Sequence, residues 1–277
     1  MRLIGLVLAF GLLFAPIASQ AEQPKTPPRI GFLLMGAPQA GLTSAFDAFR
    51  VGLHELGWTE NENIVIEYRW AGESPHRLPE LAADLVRLKV DIIIASTPGV
   101  RAAQQATTSI PIIMCIADDA VKQGFVSNLA RPGGNITGMA AFASEFAGKR
   151  LQLLREATPR VSRVALLWNP PGSSPDYMKD TEMARIAALG LKHRLPTMTP
   201  EPGFAKEGGL VQYGPSVVEN WRHAATYVDK ILKGAKPADL PVEQAAKFEF
   251  VLNMKTAKAL GLPIPPSVLL RVDEVVE

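Results

Sequence analysis

The sequence has a single cysteine, Cys115, in 277 residues. That excludes an internal disulfide and any zinc cage built from cysteines. Histidine is nearly as scarce: His54, His76, His193 and His223 lie far apart, and no pair has the spacing that sets two imidazoles on one helix face. No metal site and no cofactor are expected. An excess of charge is missing too, since 29 basic and 27 acidic residues leave a formal net charge of +2. Such a balance gives no electrostatic footprint for nucleic acid. There is no Gly-x-Ser-x-Gly elbow, and no Gly-Lys-Ser/Thr follows the glycines of Arg131–Asn135. Neither a hydrolase nucleophile nor a phosphate loop is therefore recognisable. What the chain does have is apolar content, 47% hydrophobic residues against 20% charged ones. That is too apolar for a disordered chain, and the length suffices for two domains.

Long hydrophobic runs are absent beyond the N-terminus. There, Arg2 supplies a short positive region and Leu3–Ile17 an apolar run interrupted by Pro16. Ser19-Gln20-Ala21 follows with small residues at the positions a signal peptidase reads. The run is shorter than the roughly 20 residues a membrane span needs. No cysteine stands after it to carry a lipid. Residues 1–21 are read as a secretory signal cleaved after Ala21, which makes the mature protein exported and periplasmic.

The rest alternates strand and helix. Arg29–Leu34, Asn63–Trp70, Val90–Ala95 and Ile110–Ile116 are apolar or β-rich runs. Between them, Phe46, Phe49, Leu53 and Leu56, and then Leu78, Leu81, Leu85 and Leu88, recur at helical spacing. Four βα units, each strand followed by a helix, are therefore expected over roughly Arg29–Arg131. Continuous apolar strands separated by amphipathic helices indicate an α/β fold with a parallel sheet covered on both faces. Ile136–Ala141 is expected to be extended and to cross to a second lobe. The alternation then restarts with a helix carrying Phe146, Leu151 and Leu154, a strand at Val164–Trp168, and a helix over Asp176–Lys192. Short strands are expected at Leu195–Thr199 and Leu210–Tyr213, a strong helix over Pro215–Lys233, a strand at Phe248–Leu252 and a short helix at Thr256–Leu260. The resulting division is lobe one over 22–140, a shorter lobe two over 141–214, a return to lobe one over 215–245, and a C-terminal segment over 246–277 packing on lobe two.

Open parallel sheets bind ligands outside the carboxyl ends of their strands. That rule nominates Met35 and Pro38 after the first strand, Ser96 and Thr97 after the third, and Asp118 and Asp119 after the fourth. In the second lobe it nominates Asn169 and Tyr213. Thr97 suits a helix N-cap and Pro98 the first helical position, and a helix starting there would turn its positive end to a carboxylate. A carboxylate at Asp118 or Asp119 could hold an ammonium group, although capping a turn is an equal reading for either. Tyr213 could stack on a ligand or sit in the core. Trp58, Trp70, Trp168 and Trp221 are read as packing residues. No catalytic residue is nominated.

Several segments resemble the bacterial ABC transporter substrate-binding protein family, in its branch of tryptophan/tyrosine-type amino-acid binders. They are Phe46–Tyr68, Arg77–Ala95, Asn128–Gly138 (NLARPGGNITG) and Tyr213–Gly261, with YVDKILKGAKPADLPVEQ and FEFVLNMKTAKALGLPIPPS inside the last. The resemblance implies a type I periplasmic binding protein: two Rossmann-like lobes with parallel sheets, a three-stranded hinge, and a small solute delivered to a membrane permease. A monomer is expected. The chain departs from the family pattern at Gly99, at Asp119-Ala120 and over Thr197–Phe204. The largest departure is between Asp176 and Pro196, where further βα elements are missing. At about 30 residues per βαβ unit, one to two units are absent. The competing readings are an exported α/β enzyme such as a hydrolase, a transcriptional-regulator core, and a deletion-bearing member without function.

Overall fold

The computed structural model describes residues 26–36, 40–72, 74–141, 143–167 and 180–277. The expected signal segment, Pro38, Trp168 and Asn169 lie outside them. The chain runs through β1 (Arg29–Leu34), α1 (Ala40–Glu55), β2 (Val65–Trp70), α2 (Leu78–Arg87), β3 (Ile92–Ala95), α3 (Thr97–Ala106), β4 (Ile112–Asp118) and β5 (Ile136–Ala141). It continues through α4 (Ala143–Ala157), α5 (Asp180–Lys192), β6 (Met198–Thr199), β7 (Val211–Pro215) and α6 (Val217–Leu232). The last elements are β8 (Glu243–Gln244), β9 (Phe248–Asn253), α7 (Met254–Ala259), α8 (Pro266–Leu269) and β10 (Glu274–Val276). Among the described residues no helix is long and apolar enough to cross a membrane.

Two sheets result. The first has the order β2-β1-β3-β4-β5-β8 and is parallel throughout. Its strands are apolar on both faces because helices cover both. Ile30, Phe32, Ile92, Ile94 and Ile113 face one way, into a core closed by Phe46, Phe49 and Leu53 of α1 and Trp221, Ala225 and Val228 of α6. Leu33, Ile93, Ile112 and Met114 face the other way, towards Leu78, Ala82 and Leu85 of α2 and Val100 and Ala103 of α3. The lone Cys115 is buried in the first of these cores, and burial pushes its thiol pKa far up, so it is a packing residue.

Helix α6 begins at Ser216, whose side chain accepts from the backbone of Glu219, the Ser-x-x-Glu pattern of a capping box. Tyr227 of this helix is fully buried, and its hydroxyl donates to the Pro241 carbonyl at 2.8 Å. Trp58, read as a packing residue, also ties α6 down by donating from Nε1 to Asp229 at 3.0 Å.

The second sheet has the order β10-β9-β7-β6 and is mixed, which corrects the expectation of a parallel sheet. β6 and β7 are parallel, but β9 runs antiparallel to β7. The cause is connectivity: β7 leaves this sheet towards α6, whereas β9 enters it from β8, so the two run in opposite senses. Leu153 and Ala157 of α4 pack with Val211, Phe250 and Leu252 on one side. On the other side, Met183 and Ala187 of α5 pack with Phe204. The buried Asn253 joins the layers. Its Oδ1 caps α7 by accepting from Thr256 N at 2.7 Å, and its Nδ2 donates to the Ala205 carbonyl at 2.7 Å. Asn253→Ala removes the cap and strands a buried carbonyl, so it should cost about 2–3 kcal/mol in urea denaturation. Asn253→Ser should recover the cap share only.

Three further expectations need correction. Val164–Leu167 forms no strand: a strand needs a neighbour, and among the described residues none of the four strands of the second sheet pairs with it. After β4 the chain makes turns over Ala120–Gly124 rather than a helix. The N-cap of α3 is Ser96, not Thr97, so Thr97 takes the first helical position and Pro98 the second.

The two sheets are joined by three crossings: β5 to α4, β7 to α6, and β8 to β9. Two of them are tied together, since Ser216 N donates to the Lys247 carbonyl at 2.9 Å and Ser216 Oγ donates to Glu249 at 2.5 Å.

Candidate functional site

The carboxyl ends of β1, β3 and β4 lie side by side at one end of the first sheet. They bring Met35, Ser96, Thr97, Asp118 and Asp119 together. After β1 the chain is held by a two-way backbone bridge between Gly36 and Gly72, at 2.7 and 2.9 Å. Both glycines have positive φ, 76° and 66°, which explains why no side chain stands there. Met35 is buried and packs into the core shared with α2 and α3.

After β3, α3 starts with its first turn pressed on β1. A Cβ on Gly99 would lie 2.6 Å from the Leu33 carbonyl oxygen. The Ser96 side chain makes no capping bond, and its carbonyl accepts from Val100 N at 2.9 Å. The start of this helix therefore sits against the end of β1, with its positive end at the rim of the sheet.

β4 ends in an irregularity between Met114 and Ala117, after which Asp118 pairs with Ala141. Asp119 has φ +32° and its carboxylate accepts from Lys122 N at 3.1 Å. That is the turn-capping role weighed for it. Sequence reading missed Arg101 of α3, which donates to the Gln123 carbonyl at 2.6 Å and lies over the Phe125 ring at 4.6 Å. It ties the turn after β4 to the helix after β3.

Tyr213 lies in the other sheet. Its ring stacks on Phe248 at 5.6 Å and meets Phe250 edge-on at 6.1 Å, while Phe146 of α4 closes on Phe248 at 4.1 Å. Tyr213, Phe248 and Phe250 line a cavity of about 370 Å³ with Lys149, Arg271 and Asp273 at its edges. Burial raises the pKa of the Tyr213 hydroxyl, with Arg271 and Asp273 close enough to act in opposite directions. Arg271 pairs with Glu156 at 2.5 Å, and Asp273 accepts from Phe250 N at 2.7 Å, so these groups hold fixed positions. The signal for this wall was in the alternation of Phe248, Phe250 and Leu252, which places all three on one sheet face. Among the described residues no three histidine, cysteine, aspartate or glutamate side chains gather as a metal would require.

Two stretches of the chain, residues 38–188 and 175–276, match the family described as ABC transporter substrate binding protein. The chain belongs to that family. The two matches overlap at 175–188. A Tyrosine-binding protein of Clostridioides difficile is 25% identical, the alignment taking in 80% of this chain and 77% of that protein. An ABC domain from Streptococcus pneumonia, solved in complex with L-Trp, superposes with a TM-score of 0.77 at 21% identity, covering 91% of this chain and all (100%) of that one. The ligand-free, open form of a substrate binding protein with adhesive properties from Clostridium difficile superposes at 0.71 and 21% identity, covering 90% of this chain and 99% of that one. At those identities the structural likeness establishes the fold, two α/β lobes of the type I periplasmic-binding-protein kind.

Proposed function

We propose that this substrate-binding protein is exported to the periplasm and receives an aromatic amino acid between its lobes for delivery to an ABC permease. The observation that carries the choice of guest is the aromatic wall of Tyr213, Phe248 and Phe250 beside fixed charges of both signs. The relatives named for tyrosine and solved with L-Trp support the same class. In this reading the guest's carboxylate lies at the start of α3, by Ser96 and Thr97, and its ammonium group meets Asp118. Its ring lies against Tyr213. Helix N-termini favour anions and carboxylates favour ammonium groups, so the two ends of a zwitterion are sorted by charge. The first lobe binds first, and the second closes about the three crossings.

Calorimetric titration with L-tyrosine, L-tryptophan, L-phenylalanine, L-leucine and a neutral sugar tests the reading. An aromatic amino acid should bind tightest, and Asp118→Asn and Tyr213→Ala should each weaken it roughly tenfold or more. No heat with any amino acid would overturn the assignment of guest class. Unchanged affinity in both variants would overturn the assignment of the residues.

A further inference from the structure

The segment after α4 is anomalous. Val164, Leu166 and Leu167 are 55%, 89% and 80% exposed, an apolar run on the protein surface. Beyond Val161, whose amide donates to the Thr158 carbonyl, no backbone group of Ser162–Leu167 is hydrogen-bonded to another described residue. Its sequence, Val-Ser-Arg-Val-Ala-Leu-Leu, is nevertheless strand-forming. A β-rich run with free amides, free carbonyls and exposed leucines is half of a sheet pairing.

The other half is on the same chain. β10 is an edge strand, bonded to β9 on one side only. Its segment, Asp273-Glu274-Val275-Val276-Glu277, is acidic with an apolar centre, and Val275 is 44% exposed. Acidic residues on an edge repel a second acidic edge, which protects against indiscriminate pairing. They favour a strand of opposite charge. The unpaired segment is such a strand: Arg160 and Arg163 are its only charges. The ion pair now made by Glu274, to Lys206 at 3.0 Å, is exposed on both sides and of little strength. Within the single chain, the segment leaves its own β10 open.

We infer that the segment Arg160–Leu167 of one copy adds as a strand to the β10 edge of a second copy. The exchange is reciprocal and gives a two-fold dimer through the second lobes. The pairing is self-complementary, as two-fold interfaces must be, because each copy carries both the basic strand and the acidic edge. It supplies the shortened lobe with a fifth strand from outside and replaces the monomer expected above. The inference is independent of what the cleft binds.

Light scattering after size exclusion, on the full chain over a range of concentrations, tests it. The wild type should elute at twice the chain mass, with a larger monomer fraction at high salt. Leu166→Lys combined with Leu167→Lys should give a monomer whose circular dichroism matches the wild type. Arg163→Glu should weaken the dimer roughly tenfold or more, and Arg163→Glu with Glu274→Arg should restore it. A wild-type monomer at every concentration would overturn the inference. So would a dimer unaffected by these substitutions. Amide exchange separates the remaining case: protection of Ser162–Leu167 in a monomer would mean that the segment docks on its own lobe, which also overturns it.

Discussion

Trp221→Ala should lower the stability of the first lobe by about 3–5 kcal/mol. The indole is buried on α6. It stacks on Phe32 of β1 at 5.6 Å and 13°, lies 4.9 Å from Phe46, and meets Phe49 edge-on at 6.4 Å. Its removal leaves a cavity lined by three other rings, one held on β1 and two on α1, so the space cannot readily collapse. α6 returns from the second lobe to cover the first sheet, and this ring is its largest anchor there. Guanidinium denaturation followed by circular dichroism measures the cost. Trp221→Phe should keep much of the stacking and lose far less. Equal losses in the two variants would mean that the helix is anchored elsewhere.

Gly138→Ala should cost about 2–5 kcal/mol. Gly138 sits in β5 at φ +120°, and a Cβ there would lie 2.4 Å from the Met114 carbonyl oxygen and 2.6 Å from the Met114 amide nitrogen. The conflict is backbone against side chain, so no rotamer relieves it. β4 would have to shift, and β4 ends at Asp118, the residue proposed to meet the ligand ammonium. Affinity should therefore fall together with melting temperature. Gly134→Ala is the control, because a Cβ there meets nothing within 4 Å and φ is not positive. If the two variants melted alike, the close approach of β5 to β4 would carry no energetic weight.

Much of the first lobe was legible in the sequence. Its strands are continuous apolar runs, its helices keep their apolar residues at helical spacing, and each signal points to the same parallel sheet. The shift of the α3 cap from Thr97 to Ser96 was not legible. Both residue types cap helices, and proline is accepted at either of the first two helical positions. The second lobe was read less well because strand pairing is not a local property. Val164–Leu167 has the composition of a strand, yet what makes a strand is a neighbour, and among the described residues of this chain no strand pairs with it. The mixed direction of β9 was hidden for a related reason, since it depends on which lobe the chain has just left. At the site, the positions after the strands followed from the rule for open sheets. Arg101 and the Phe248–Phe250 face did not, because their importance lies in partners distant along the chain.

The three crossings have a consequence for how the molecule comes into being. The first sheet gains its last strand only at Glu243–Gln244, and its aromatic face is covered only when Trp221 arrives. Phe32, Phe46 and Phe49 are made early and stay wet while the whole of the intervening lobe is synthesised. A chain built this way closes late and slowly, since its decisive contacts span most of its length.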